Sequence, residues 1–240
     1  MWQGRRSAGL APIARISSKD YFRCVSSDEL DDLAPMTDAR TIRALAHPLR
    51  LRILDLLSER GSLTATQVGE EVNESPANCS FHLRTLARYG YVEDAGGGEG
   101  RNRPWKISDR TTYWTPVDAD PVTVDAILVA QAAIDAAHQE RIRTWRRRAP
   151  AAPRAWQENT FEMSYETWLT PEELRQVSAE ISSAIRRVVD GRLKRPGQEA
   201  RVLLHASGFP VGQQLPDVPE ADRPKPDRSK SDRPKPEAHS

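Results

Sequence analysis

The chain has 240 residues, with 35 lysines and arginines against 34 aspartates and glutamates, so its net charge is close to zero and indicates no particular partner. Hydrophobic residues make up 38% of the chain and charged residues 29%, which predicts one or two folded domains with part of the chain outside the core. The sequence has no run of about 18 apolar residues, so we expect no membrane span. Only two cysteines occur, Cys24 and Cys79, which predicts no disulfide framework and a cytoplasmic location.

Both ends of the chain have the composition of disordered segments. Residues 1–36 mix Gly, Ser, Arg and Asp without a sustained period, which predicts a disordered N-terminal extension. Periodic sequence begins directly after Met36, so a start at that residue is an alternative, with residues 1–35 then outside the native protein. Residues 211–240 repeat Asp-Arg-Pro-Lys-Pro at Asp222 and Asp232, and proline combined with alternating charges predicts a disordered tail.

The apolar spacing over residues 37–110 predicts four helices followed by a hairpin. Pro48 divides the first apolar run into helices over about 38–46 and 48–59, and Gly61 ends the second. A third helix is predicted over about 64–72 with Thr64 as its cap, and a fourth starts after a capping Ser75. The segments YVEDA and RPWKI then pair around the glycine-rich tip GGGEGRN. This order predicts a mainly α fold with a small β-hairpin wing, the winged helix-turn-helix.

The fourth predicted helix and the hairpin tip carry the candidate DNA-binding residues. Cys79, Leu83 and Leu86 share one face of that helix and are expected in the core. Helix-turn-helix proteins read base edges with the first turns of this helix, so small and polar residues there favour entry into the major groove. The predicted DNA-binding residues are Ser75, Ala77, Asn78, Ser80, Phe81, His82, Arg84, Arg88, Arg101 and Arg103.

The predicted contacts differ in kind, and several have a structural alternative. Arg84 and Arg88 are expected near the phosphates, and the glycines leave Arg101 and Arg103 mobile enough to reach a phosphate or the minor groove. The alternative for the two hairpin arginines is a solvated tip. An exposed aromatic such as Phe81 is expected to contact a thymine methyl, a sugar or a neighbouring side chain.

The segments LAHPLRLRILDLL and VNESPANCSFHLRTLARYGYV resemble the ArsR-type winged helix-turn-helix regulators, over residues Ala39 to Asp109. The resemblance implies a homodimeric cytoplasmic transcription regulator, usually a repressor that a signal releases from DNA. Ser80 and His82 match the "S.H" pair of that family, which is often near DNA. A hydrogen-bonded structural histidine is the other interpretation of His82.

The metal sites of that family are not evident in this chain. The helix before the turn, ATQVGEEV, has no cysteine to form the thiolate site. The segment DAAHQE offers Asp135, His138 and Glu140, which is an incomplete set of ligands. We therefore predict neither a metal nor another cofactor. Cys79 occupies an apolar position and is expected to act as a small hydrophobic residue.

The second half of the chain is predicted to contain a dimerisation helix and an accessory module. Residues 120–148 form a long amphipathic helix, whose pairing with a second copy would place two recognition helices one DNA turn apart on a palindromic operator. Residues 156–210 predict a strand–helix–strand module, with TFEMSYETWL and ARVLLHASGFP as the strands. Its aromatics, Trp156, Phe161, Tyr165 and Trp168, form the pocket of a small-molecule effector in one hypothesis and an ordinary packed core in the other.

The sequence features bear on three classes of function. The leading interpretation is a sequence-specific DNA-binding transcription regulator, most simply a homodimeric repressor. The alternative is a winged-helix interaction module that has lost DNA binding. The sequence contains no Gly-rich phosphate loop and no grouping of a nucleophile with its base, so an enzyme is not predicted.

Overall fold

A computed structural model describes residues 14–16, 36–98, 102–108, 112–189 and 199–211. The helices are α1 (Ala39–Arg43), α2 (Pro48–Arg60), α3 (Ala65–Val72), α4 (Pro76–Arg88), α5 (Pro121–Arg148), α6 (Arg154–Glu158) and α7 (Pro171–Val189), and the strands are β1 (Ala14–Ile16), β2 (Ser62–Thr64), β3 (Val92–Asp94), β4 (Pro104–Ile107) and β5 (Thr112–Trp114). The chain divides into two compact units, Leu10–Leu169 and a second that contains Thr170–Ser240 together with Met1–Gly9. No helix among the described residues has the length and apolar character that crossing a bilayer requires.

Helices α1 to α4 each begin at a residue whose side chain caps the first turn. Thr64 and Gln67 form a reciprocal capping box at the start of α3, and Ser75 caps α4 by accepting from the Asn78 N–H at 3.2 Å. Asp38 and His47 cap α1 and α2 in the same way. Each cap satisfies backbone donors that the first turn of a helix leaves without partners.

The wing is a three-stranded antiparallel sheet in the order β2-β4-β3. The predicted hairpin is confirmed, with Val92 opposite Ile107 and Asp94 opposite Trp105. The third strand, β2, was not predicted, because a three-residue strand between two helices has too little sequence to show an alternating pattern. This mainly helical unit with a small sheet after α4 is a winged helix-turn-helix.

One hydrophobic core joins the four short helices, the wing and the first half of α5. Its fully buried members include Ile42, Leu45, Ile53, Leu54, Leu57, Val68, Cys79, Leu83, Leu86, Trp114, Ala126, Ile127 and Ala130. The Tyr91 hydroxyl donates to the carbonyl oxygen of Thr41 at 2.9 Å, which ties the start of the wing to α1. Burial raises the pKa of Tyr91, so this donor keeps its proton.

The prediction that residues 1–36 are disordered is wrong for Ala14–Ile16. These residues form β1, which pairs with β5 in an antiparallel register. The Met36 N–H also donates to the Tyr113 carbonyl oxygen at 2.8 Å. This order comes from backbone pairing with a strand almost a hundred residues away, and composition carries no information about such a pairing. The predicted disordered tail beyond residue 211 lies outside the described residues.

The strand–helix–strand prediction for residues 156–210 is wrong in its strands. The helix is present as α7, but residues 160–170 and 199–211 have no strand assignment. Alternating apolar residues favour a strand, yet a strand also needs a partner for its backbone hydrogen bonds. The segment predicted as the first strand follows α6, and the residues of this segment are exposed.

Two neighbouring residues of α4 give a matched test of this core. Leu83 is fully buried, whereas Phe81 is 56% exposed. We expect Leu83→Ala to lower the free energy of unfolding by about 2–5 kcal/mol, because it removes packed methyl groups and leaves a cavity. Phe81→Ala is expected to change it by about 0.5 kcal/mol or less. Urea denaturation followed by circular dichroism measures both, and equal losses would contradict this assignment of the two faces of α4.

Candidate DNA-binding surface

A tight turn fixes the angle between α3 and α4. Asn73 ends α3 in the left-handed conformation (φ 57°), and the Glu74 N–H donates to the Gly69 carbonyl oxygen at 2.9 Å. A Cβ atom on Gly69 would lie 2.6 Å from the carbonyl oxygen of Glu74, so only glycine allows the turn to pass this close to α3. The turn therefore presents the amino end of α4 at the surface.

The amino end of α4 has the small and polar surface that the sequence predicts. Ser75 and Ala77 are exposed, and Asn78 is partly exposed. The Asn78 side-chain amide donates to a Glu74 carboxylate oxygen at 2.9 Å. Because this bond uses the amide N–H group, it orients the Asn78 side chain before any ligand binds.

One turn further along α4, three side chains extend the same surface. Phe81 has 56% of its surface exposed. The Arg84 guanidinium donates to the Ser80 hydroxyl oxygen at 3.0 Å, which holds the arginine along the helix. Arg88 is exposed in the last turn. The structure thus brings a polar amide, an aromatic ring and two cations onto one side of α4.

His82 does not belong to this exposed surface. It is only 6% exposed, and its Nδ1 accepts from the Arg50 Nε–H at 3.3 Å. Arg50 also donates to the Ala44 carbonyl oxygen at 2.8 Å, and the His47 ring lies 4.5 Å from the His82 ring. His82 therefore fastens α4 to the junction between α1 and α2, which agrees with the structural interpretation of this histidine.

The same environment affects the protonation of His82. Burial lowers its pKa, and the neighbouring His47 and Arg50 lower it further, while Glu74 acts in the opposite direction. Burial lowers the pKa of His47 as well, with Arg50 contributing. Both imidazoles are consequently neutral near pH 7.

The hairpin arginine that the structure describes is held in place. Arg103 pairs with Asp94 across the wing, with Nε 3.1 Å from the carboxylate oxygen, and its guanidinium carbon lies 5.9 Å from the centre of the Trp105 ring. Lys106 pairs with Glu93 at 3.0 Å. Arg103 is thus paired with an acidic strand in this structure, and its predicted contact with DNA stays a prediction. Arg101 is outside the described residues.

The remaining candidate side chains do not assemble into a chemical site. Among the described residues, no group of three or more His, Cys, Asp or Glu side chains is placed to hold a metal ion. Asp135 accepts from Gln131, and Glu140 accepts from Arg143 and Arg147. Cys79 is buried, and burial, followed by the charge of Glu74, raises the pKa of its thiol, which disfavours a reactive thiolate.

Among the residues that the structure describes, the four aromatics of residues 156–168 neither line an enclosed pocket nor form a packed core. Phe161, Tyr165 and Trp168 are 67%, 87% and 99% exposed, and Trp156 is 38% exposed. An aromatic pocket would bury these rings on several sides.

Two residues with a role at this surface were missed from the sequence. Glu74 orients Asn78, and Arg50 hydrogen-bonds His82. The four-residue spacing between Glu74 and Asn78 was a usable signal, since side chains four apart at a helix start are neighbours. Arg50 is 32 positions from His82, and no local pattern connects them.

A family model described as a helix-turn-helix domain (HTH_20) matches residues 45–94. This range contains α2 to α4 and β3, so the matched domain includes the exposed side of α4 described above. The match supports a DNA-binding transcriptional regulator. No curated protein matches the chain.

The solved structures that are similar include two of Lactococcus lactis ZitR. The apo form of the C30AH42A mutant is 15% identical, with 60% of this chain and 83% of that chain covered and a TM-score of 0.26. A second structure of this mutant is 13% identical, with 68% and 83% covered and a TM-score of 0.23. Superpositions as loose as these carry no argument about function.

The buried histidine predicts a stability that depends on pH. Because the folded state lowers the pKa of His82 below 6.5, the stabilisation is complete above pH 6.5 and is lost as the pH falls through the lowered value. We expect the free energy of unfolding to decline between pH 6.5 and about 5, where most carboxylates are still ionised. His82→Asn keeps an acceptor near the Nδ1 position and should show a weaker decline. Urea titrations at several pH values measure this, and an unchanged decline in the variant would contradict it.

Proposed function

We propose that this chain is a sequence-specific transcription regulator that inserts the amino-terminal half of α4 into the major groove of DNA. The observation that carries the proposal is the division of α4 into two sides. Cys79, Leu83 and Leu86 are fully buried, while Ala77, Phe81 and Arg84 are exposed on a helix whose start projects from the turn. A helix presented in this way has the size and orientation for a major groove about 12 Å wide.

The exposed side chains have the chemistry to read bases and to contact phosphates. Asn78 can form the paired hydrogen bonds that asparagine makes with adenine, and Phe81 can contact a thymine methyl group. Arg84 and Arg88 supply positive charge further along the helix, where phosphates lie when the amino end is in the groove. Direct contact by His82 is not part of this proposal, because its side chain is buried.

A second part of the proposal is a homodimer formed through α5. One side of α5 is buried, with Ala126, Ile127 and Ala130 fully covered. The opposite stripe is exposed and largely apolar in its first half, with Val122 at 57%, Leu128 at 62% and Val129 at 46% exposure. The exposed Asp125 also lies in this stripe. Ala132 and Ala136 continue this stripe, and such small residues let two helices approach closely. Two salt bridges, Arg43–Asp125 and Arg141–Asp55, fix α5 to the winged domain.

The dimer and the DNA-binding surface together define the proposed activity. A two-fold dimer presents two copies of α4, so the preferred site is a palindrome with half-sites about one helical turn apart. The ArsR resemblance adds the expectation that bound dimers block promoters, as a repressor does. This chain differs from the metal-sensing ArsR-type regulators because its α3 contains no cysteine.

Removal of the α4 cations tests the DNA contact. We expect Arg84→Ala and Arg88→Ala each to weaken binding to every sequence and to reduce the slope of log K against log salt by about 1, if each residue contacts one phosphate. Arg154→Ala, which removes an equally positive exposed residue of α6, is the control and should change neither quantity. Fluorescence anisotropy over a salt series, on the promoter fragment of the protein's own gene, measures both. Absence of salt-dependent binding in the unaltered protein would favour the interaction-module alternative.

A charge placed on the exposed stripe of α5 tests the dimer. Leu128→Glu is made in an Ile181→Glu background, so that the exposed apolar side of α7 cannot join the copies. It should convert the dimer into a monomer, because it would bury a carboxylate in an apolar seam. Ala155→Glu adds the same charge to an exposed position of α6 and should leave the mass unchanged. Light scattering coupled to size-exclusion chromatography measures the mass. A dimeric Leu128→Glu variant would show that copies associate elsewhere.

A further inference from the structure

Helix α7 is amphipathic, yet the chain covers little of its apolar side. None of its residues is buried, and Val177, Ile181 and Val188 keep 42%, 40% and 63% of their surface exposed. Packing of an apolar side, rather than intrinsic helix propensity, supplies most of the stability of helices in proteins. A 19-residue helix with an uncovered apolar side therefore indicates a missing partner.

Beyond α7 itself, the described part of the second unit is the segment 199–211, and it does not supply that partner. The segment 199–211 approaches the amino end of α7, where a Cβ atom on Gly208 would lie 3.0 Å from Leu174. Its own apolar residues are nevertheless exposed, with Val202 at 59%, Leu204 at 45% and Phe209 at 69%. Val177, Ile181 and Val188, in the middle and at the carboxyl end of α7, are therefore not covered by this segment.

The spacing of these apolar residues is that of a helix-pairing seam. Leu174, Val177, Ile181, Ala184 and Val188 are separated alternately by three and four positions. This is the repeat by which two helices interlock their side chains along a shared line. The amino end of α7 is stabilised independently, because Thr170 and Glu173 form a capping box there.

The charges of α7 select one arrangement of such a pair. Residues 171–180 contain Glu172, Glu173 and Glu180 against Arg175, so this half carries an excess of negative charge. The charged residues of 181–189 are Arg186 and Arg187. Two copies of α7 in antiparallel orientation place the acidic half of each beside the basic half of the other, and their helix dipoles oppose. A parallel pair would place like charges together.

We propose that α7 binds α7 of a second copy of this chain as an antiparallel pair, with its two-fold axis near Ala179. In this register Leu174 of one helix lies opposite Ala184 of the other, and Val177 lies opposite Ile181. The α7 seam shares no residue with the α5 stripe or with the DNA-binding surface, and it gives the chain a second contact between copies.

Cross-linking of full-length chains tests the pairing and its direction. Leu174→Cys and Ala184→Cys are made as separate variants in a Cys24→Ser background, Cys79 being buried. The two variants, one of them tagged, are co-expressed and treated with a short bismaleimide. An antiparallel pair yields the mixed cross-link, while either variant alone yields none, since equivalent residues lie about 15 Å apart along the axis.

The other outcomes overturn the proposal. Cross-links within Leu174→Cys alone would show a parallel pair, and their absence in every combination would show that another molecule or nothing covers α7. Adding Ile181→Glu should abolish the mixed cross-link, and Gln176→Glu, which adds the same charge to an exposed position outside the seam, should preserve it. Because the readout lies at α7 itself, failure of DNA binding or of the α5 interface leaves a different signature, a cross-linked but inactive protein.

Discussion

The burial of one side of α4 is the interaction on which the proposed DNA-binding surface depends. Leu83 and Leu86 are fully buried with Cys79, and His82 adds a polar attachment through Arg50. These contacts prevent α4 from rotating about its axis, because any rotation would expose leucine and break a buried hydrogen bond. The buried residues of α4 thus determine which of its other residues face outward.

The turn before α4 imposes the second constraint. The left-handed Asn73 and the close approach at Gly69 set the direction in which α4 leaves α3. Ser75, Glu74 and Asn78 then use their side chains on the first turn of α4, so this end is rigid before it meets a ligand. Rigid presentation lowers the entropic cost of binding, which is an advantage for a protein that must distinguish similar base sequences.

The sequence predicted the elements whose signals are local. Caps at Thr64 and Ser75, the proline at position 48 and the helical spacing of α5 each lie within a few residues of the feature they determine. Predictions that depended on distant partners were less successful. The pairing of β1 with β5 was missed. Strands were predicted on either side of α7 from alternation alone, but the structure assigns no strand to residues 160–170 or 199–211.

The candidate site shows the same division. Exposure of Phe81 and Arg84 followed from helical spacing once the core side of α4 was known. The restraint of Arg103 by Asp94 depends on the strand register of the wing, and the burial of His82 depends on the position of α2. Neither can be deduced without the folded arrangement, because side-chain mobility and access are properties of tertiary neighbours.

The hydrogen bond between Glu74 and Asn78 has a consequence for redesign of this protein. Residues that anchor α4 and residues that face outward are separate sets, so the outward set can be exchanged to give a new operator preference without loss of folding. Positions 74 and 78 are the exception, because the carboxylate and the amide orient each other. A library that varies position 78 alone would leave the Glu74 carboxylate without its donor and facing a polyanion, and one that varies position 74 alone would leave the Asn78 amide without its acceptor. The two codons should be randomised as a unit.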